Sequence, residues 1–176
     1  MRILFALIIL FSAFYGNAQQ YHFKTYSLEE GLSRSGVYSI LQDKSGFLWV
    51  GTEGGGVCKF NGIGFTNYSR KHGLAAENVR VIFEDDRGVL WFGTSKGLSY
   101  YNGKKITSIT QEDGLADDYI RSITQDSEGN IWVGTNKGIS IIEPDEKGIC
   151  GKLKINFTLP NKRIRSLLAQ DEIVWI

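Results

Sequence analysis

Short apolar runs follow one another along this chain, and glycine ends each run before a helical stripe of apolar positions develops. In the first complete unit these runs predict four strands, at about Val37–Gln42, Leu48–Gly51, Val57–Phe60 and Phe65–Tyr68. The runs VYSILQ, VRVIFE, IRSITQ and IRSLLA are apolar at alternate positions and often on both faces, as expected of an innermost strand between two neighbouring sheets. The pattern predicts an all-β protein.

Aspartate and glycine mark the turns between these strands. An aspartate opens and a glycine closes the first turn of each unit, at residues 43–46, 85–88 and 126–129. Aspartate accepts hydrogen bonds from turn amides and glycine adopts positive φ, so Asp43, Asp85 and Asp126 are predicted to cap turns rather than to bind Ca²⁺ or act as catalytic acids. A second hairpin follows each Gly-Thr pair and closes at Gly56, Gly97 and Gly138.

The tryptophans give the period of the repeat. Trp49, Trp91, Trp132 and Trp175 recur at intervals of 42, 41 and 43 residues. Four short strands in each unit of this length are typical of a propeller blade, and each tryptophan is predicted to pack between adjacent blades. The sequence therefore predicts a β-propeller with about three and a half four-stranded blades.

The repeat also sets the predicted domain boundaries. The units span about 31–72, 73–113 and 114–160, with the start of a fourth at 161–176. A ring usually needs four to eight blades, so we expect an incomplete ring and a sequence that is part of a longer one. The segment at 23–27, FKTYS, is similar to FTNYS at 65–69 and is expected to be an outer strand without the rest of its blade.

Two segments depart from the repeat. Asp171 to Trp175 spans four positions where the earlier units use six, which predicts a tighter turn or a bulge. The stretch from Glu143 to Pro160 is longer than its counterparts, and we expect it to form an extended outer hairpin or a loop.

The N-terminus is predicted to be a signal peptide, residues 1–18, followed by the partial propeller at 19–176. Arg2 precedes an apolar run from Ile3 to Tyr15, and cleavage is predicted after Ala18. A retained membrane anchor is the alternative, but the run is short of the roughly 20 residues that span a bilayer. We therefore expect the protein to be exported to the periplasm.

Composition excludes several functions. The chain has 20 Lys and Arg against 19 Asp and Glu, so a formal charge of +1 gives no electrostatic support for a nucleic-acid partner. His22 and His72 have no neighbours at metal-ligand spacing, so no metal and no cofactor is expected. Cys58 and Cys150 lie in different units and are expected to be free thiols, although export permits a disulfide. No nucleophile or phosphate-binding motif appears, so no catalytic residue is assigned.

The candidate ligand site lies where the loops enter the innermost strands, because propeller ligands generally bind at the mouth of the central channel. The polar candidates on these loops and the adjacent hairpins are Arg34, Glu53, Asn78, Lys96, Asp118, Tyr119, Asn136 and Lys137. Mixed polar groups with a tyrosine suit a sugar, whereas simple solvation is the alternative for any one of them. Arg80, Arg121 and Arg165 occupy equivalent inner-strand positions and could receive an anion. Their repetition favours a shared structural contact instead, and Tyr38 interrupts the series.

The unit GLSRSGVYSILQDKSGFLWVGTEGGGVCKFNG resembles the two-component regulator propeller repeat of bacterial hybrid histidine kinases. The combination of GL, DxxG, W[VF]GT and a closing glycine recurs three times, and the resemblance covers about Phe23 to Ile176. It implies a seven-bladed periplasmic sensor domain whose kinase is not in this chain, anchored in the inner membrane only through C-terminal parts.

The resemblance also implies a ligand and partners. It points to a glycan fragment as the small-molecule ligand and to a possible homodimer of the full-length protein. Two alternatives stay open: a structural or adhesive exported propeller that binds a protein partner, and an exported propeller enzyme that acts on a polysaccharide.

Overall fold

The computed structural model describes residues 23–144, 150–157 and 163–176, and for residues 144 and 150–157 it describes the backbone alone. The predicted signal peptide lies outside the described residues, as does part of the predicted Glu143–Pro160 insertion. In the described part of the chain, no helix is long and apolar enough to cross a membrane.

Three four-stranded antiparallel sheets follow one another, and in each the strands lie side by side in chain order. The first sheet contains β1 (Val37–Gln42), β2 (Leu48–Thr52), β3 (Val57–Phe60) and β4 (Phe65–Tyr68). The second contains β5 (Val79–Glu84), β6 (Leu90–Thr94), β7 (Gly97–Tyr101) and β8 (Ile106–Ile109). The four strands predicted for the first unit are confirmed, with β2 longer by Thr52.

The third sheet and a final hairpin complete the described fold. The sheet contains β9 (Ile120–Gln125), β10 (Ile131–Thr135), β11 (Ile139–Pro144) and β12 (Cys150–Phe157), and the hairpin contains β13 (Leu168–Gln170) and β14 (Ile173–Trp175). Strand β12 lies within the predicted insertion and forms the outer edge of its sheet. The propeller fold, with about three and a half blades, is confirmed. Two short 3-10 helices, Arg70–His72 and Gln111–Asp113, were not predicted.

The core lies between the sheets. Trp49 is 1% exposed and packs against Val79 and Phe92 of the second sheet. Trp91, also 1% exposed, packs against Ile120 and Val133 of the third. Aromatic rings of this size contribute large apolar areas, so these two seams between blades are held mainly by one tryptophan each and the apolar side chains around it.

The aspartate turns are tied directly to these tryptophans. In the first sheet Asp43 Oδ1 accepts hydrogen bonds from the backbone N–H of Ser45 at 3.0 Å and of Phe47 at 2.9 Å. Its Oδ2 accepts one from Trp49 Nε1 at 2.7 Å. Equivalent bonds to tryptophan are made by Asp85, at 3.2 Å, and Asp126, at 2.7 Å. Each aspartate therefore orients an interblade ring as well as capping a turn.

The Asp126 carboxyl makes the free energy of unfolding depend on pH in the acid range. Burial alone would raise the pKa of this carboxyl, but hydrogen bonds from Trp132 and Asn130 outweigh it and hold the pKa below its ordinary value of 3.8. A lowered folded-state pKa stabilises the protein above the unfolded pKa, and that stabilisation is lost as the pH falls through the folded value. We expect the stability difference between the natural chain and Asp126→Asn to shrink between about pH 6 and about pH 3. Urea unfolding at both pH values measures it, and a constant difference would contradict the role of this carboxylate.

The fourth unit begins with a tight turn, as predicted. Gln170 pairs with Ile173 across a two-residue turn, in which Asp171 has a positive φ of 55°. The strand pairing of IRSLLA starts later than expected, at Leu168, because the short β14 offers ladder partners to only three residues. Trp175 also differs from the prediction, since it is 58% exposed at the end of this hairpin and not buried between blades.

Residues 23–27 form no strand in the described structure, which differs from the prediction of an outer strand. A strand needs a ladder partner, and no described strand lies beside this segment. Its Tyr26 ring instead packs edge-on against Phe60 and Phe65, with centroid distances of 4.8 and 5.8 Å.

Cys58 is a free, buried thiol, with its Sγ 3.0 Å from Ser33 Oγ. The side chain of Cys150 is outside the described atoms. Within the described ranges, no group of three or more His, Cys, Asp or Glu residues could hold a metal ion.

Candidate functional site

The innermost strands β1, β5 and β9 share an irregularity at their second residue. In β1, Val37 lies opposite Thr52 and Ser39 lies opposite Gly51, so Tyr38 has no partner residue across the ladder. The same register shift leaves out Arg80 in β5 and Arg121 in β9. A bulge of this kind bends the strand and re-aims a side chain. Three blades thus present their bulged residue at the same level of the propeller.

The bulged side chains meet in one cleft of about 220 Å³. Its lining consists of Tyr38, Arg80, Tyr119, Arg121 and Arg165. Arg165 follows Ile164, whose N–H donates to Thr135 O at 3.0 Å and so holds the start of the fourth unit against the third blade. Four successive units therefore contribute to a single concave site.

Arginine and tyrosine side chains alternate across this cleft. The Arg80 guanidinium lies 4.6 Å from the centroid of the Tyr38 ring and 5.0 Å from that of Tyr119. The Arg121 guanidinium also lies 5.0 Å from the centroid of the Tyr119 ring, so the two arginines share this tyrosine. Such cation–π contacts are attractive and hold planar guanidinium groups against ring faces. Arg80 and Arg121 thus make a shared structural contact with tyrosine, which the repetition of arginine at this position favoured.

The hydrogen bonds of these arginines are incomplete. Arg121 Nε donates to Asn136 Oδ1 at 2.5 Å. Arg80 Nε is buried and has no hydrogen-bond partner among the described residues. A buried donor without a partner is costly and rare, so it requires an explanation.

The charge of the cleft is also unbalanced. Among the described residues, the ion pairs join Arg87 to Asp85 and Asp86 and Lys137 to Asp117, so none involves the three arginines of the cleft. The Glu53 carboxylate beside the cleft accepts a hydrogen bond from the Tyr38 hydroxyl and thereby raises the pKa of Tyr38. The cleft consequently has a positive potential.

The structure brings three of the eight predicted ligand residues to this cleft. Tyr119 lines it, Asn136 holds Arg121, and Glu53 contacts Tyr38. The other five lie on the surrounding loops and do not line it: Arg34, Asn78, Lys96, Asp118 and Lys137. Two of those are engaged elsewhere, since Asp118 Oδ1 accepts a hydrogen bond from Gln111 N–H at 2.7 Å and Lys137 pairs with Asp117 at 3.0 Å.

Sequence reasoning missed the bulges that gather these side chains. Strand length gave no signal for them, because a longer strand can simply extend past the end of a shorter neighbour.

A larger cleft, of about 660 Å³, lies along the seam between the third sheet and the final hairpin. It is lined by acidic side chains, including Asp126, Glu128 and Glu172. The Asp126 carboxylate is already occupied by Trp132 and by turn amides, so its geometry serves the fold. The smaller, arginine-lined cleft is therefore the candidate ligand site.

Comparison with known proteins identifies the repeats. The family described as two component regulator propeller matches residues 31–54, 73–96 and 114–137, the segments that carry the inner strand, the aspartate turn and the second strand of each blade. No curated protein matches the sequence.

Solved structures support the same assignment. An extracellular domain of a hybrid two-component system from B. thetaiotaomicron is 26% identical with a TM-score of 0.66, over 87% of this chain and 20% of that one. A second such domain from B. thetaiotaomicron has a TM-score of 0.71 at 24% identity, over 85% of this chain and 20% of that one. This chain thus spans about a fifth of the length of these neighbours. The matched family is a regulator family, which agrees with the expectation that this chain is not itself an enzyme.

The fold alone is shared with virginiamycin B lyase from Staphylococcus aureus, which is 23% identical with a TM-score of 0.60, over 80% of this chain and 48% of that one. The three matched segments, each folded as the start of a propeller blade, are repeats of the two-component regulator propeller type.

Proposed function

We propose that this chain is the ligand-sensing part of a periplasmic propeller in a two-component system. Its ligand is an oligosaccharide bound where the inner strands begin, and the signal passes to a kinase outside this chain. The observation that carries the proposal is the cleft formed by bulged inner-strand residues in a propeller of this repeat family.

Two observations support the proposed cellular location. The neighbours from B. thetaiotaomicron are extracellular domains, and residues 1–18 have the composition of a signal peptide. The proposed domains are therefore a cleaved segment at 1–18 and a propeller at 19–176. Attachment to the membrane and pairing into a homodimer are assigned to parts of the protein outside this chain.

The polar groups around the cleft suit a saccharide. Tyr119 offers a ring, Asn136 an amide and Glu53 a carboxylate, and these three lie on or beside the cleft wall. Sugars are bound by such mixtures of ring faces and polar groups that donate and accept hydrogen bonds. Arg34, Asn78, Lys96, Asp118 and Lys137 are proposed to contact the rest of a longer ligand from the surrounding loops.

Titration of the exported chain with a panel of oligosaccharides tests this function. We expect one class of saccharide to bind, and we expect Asn136→Ala to weaken that binding about tenfold, because Arg121 loses its orienting hydrogen bond. Asn67→Ala is the matched control, since Asn67 is an exposed residue of β4 far from the inner strands. Calorimetry measures both affinities.

The alternatives predict other results. An adhesive propeller would bind a protein partner and no saccharide in the panel, and a propeller enzyme would convert the saccharide into products. The shared fold of the lyase gives no support for the enzyme, because fold does not determine chemistry.

A further inference from the structure

We infer that the arginine-lined cleft is an oxyanion site that binds a carboxylate or sulfate group of the saccharide ligand. This inference rests on the proposed function and narrows its substrate class from oligosaccharides to acidic ones. It assigns a ligand-binding role to Arg80, Arg121 and Arg165, whose repetition alone had favoured a purely structural contact.

The first argument is the convergence of charge. Arg80 and Arg121 are bulged residues of adjacent inner strands, and Arg165 begins the next unit. Three like charges repel one another, and none of them forms an ion pair with a described residue. A bound anion would remove this repulsion and would gain from all three cations at once.

The second argument is the surroundings of the Arg80 guanidinium. The rings of Tyr38 and Tyr119 have their centroids 4.6 and 5.0 Å from it, so they limit the directions from which a ligand can reach it. Its Nε is buried and has no hydrogen-bond partner among the described residues. An oxyanion with two or more oxygens can accept several hydrogen bonds from guanidinium N–H groups at once, which a neutral hydroxyl cannot match.

The third argument is size. A volume of about 220 Å³ is smaller than the roughly 300–1,000 Å³ of sites that enclose a drug-sized ligand. The cleft therefore suits one charged sugar unit, with the remaining units on the outer loops. Glu53, whose carboxylate accepts a hydrogen bond from the Tyr38 hydroxyl, is in none of the ion pairs of the described residues, and neither are the three arginines.

The test is an NMR titration of the complete exported chain with glucuronate, its neutral methyl ester, glucose, a glucose sulfate ester and inorganic sulfate. We expect glucuronate or the sulfate ester to bind at least about tenfold more tightly than the neutral sugars, and to bind more weakly as the salt concentration rises. Binding of either charged sugar supports the oxyanion site, and comparison of the two identifies the group that it takes.

Variants separate this site from general attraction between charges. Arg165→Gln is expected to weaken binding of the charged sugar at least about tenfold without changing the unfolding midpoint, because Arg165 is exposed. Arg121→Gln should have a similar effect on binding. Arg70→Gln, which removes the same charge from an exposed residue outside the cleft, should leave the affinity unchanged.

Two results would overturn the inference. Equal affinity for glucuronate and its methyl ester would show that the cleft does not recognise the negative charge. Binding that neither cleft variant weakens would show that the bound group is an adventitious ion only. If neutral oligosaccharides bind while charged sugars do not, the proposed sensing function stands and only the oxyanion site fails. If no saccharide of any kind binds but inorganic sulfate depends on Arg165, the oxyanion site stands and the saccharide proposal fails.

Discussion

Replacing Trp91 by alanine is expected to lower the free energy of unfolding by about 3–5 kcal/mol. The ring is 1% exposed, lies 5.4 Å from the Tyr100 ring, and packs against aliphatic side chains of the second and third blades. Its removal leaves a cavity in a seam that rigid sheets cannot close by small shifts. Urea unfolding followed by circular dichroism measures the loss.

Trp175→Ala is the matched control for this prediction. The equivalent ring of the fourth unit is 58% exposed, so its loss should cost less than about 1 kcal/mol. Similar losses from the two variants would contradict the view that the repeated tryptophan stabilises the chain only where blades flank it on both sides.

Replacing Asp85 by alanine is expected to cost about 3 kcal/mol or more, for a different reason. The carboxylate is 0% exposed and accepts hydrogen bonds from the backbone N–H of Val89 at 2.9 Å and from Trp91 Nε1 at 3.2 Å. It also accepts two hydrogen bonds from Arg87, one from the backbone and one from the side chain. Alanine leaves several of these donors buried and unpaired, and each such donor costs roughly 1–3 kcal/mol.

Asp86→Ala is the control, because it removes the same charge from the neighbouring residue. Its side chain is 69% exposed, so we expect a loss below about 1 kcal/mol. Trp91→Phe separates the two parts of the network: it keeps most of the buried ring but removes the N–H donor, and about 1 kcal/mol is expected. A loss for Asp85→Ala no larger than that for Asp86→Ala would contradict the anchoring role of the turn aspartate.

Much of the candidate site was visible in the sequence as separate parts. Tyr119, Asn136 and Glu53 were identified from their place on loops beside the inner strands, and all three lie at the cleft. Asp118 and Lys137 met the same criterion but are held by neighbours on the loops. Position on a loop does not reveal which side chains are already engaged, because those partners come from elsewhere in the fold.

The sequence by itself determined the blade: four short strands, the aspartate turns, the positive-φ glycines and the repeated tryptophan. These features depend on residues close together in the chain, where turn chemistry and alternation act directly. Only the tertiary structure decided the site. Tyr38, Arg80, Arg121 and Arg165 lie about one repeat apart along the chain and meet in one cleft. The first three meet because a bulge turns each of their inner strands at the same level, and Arg165 joins them because the start of the fourth unit is held against the third blade. The same packing buries Trp91 and leaves Trp175 exposed, since the surroundings of identical residues depend on which blades flank them.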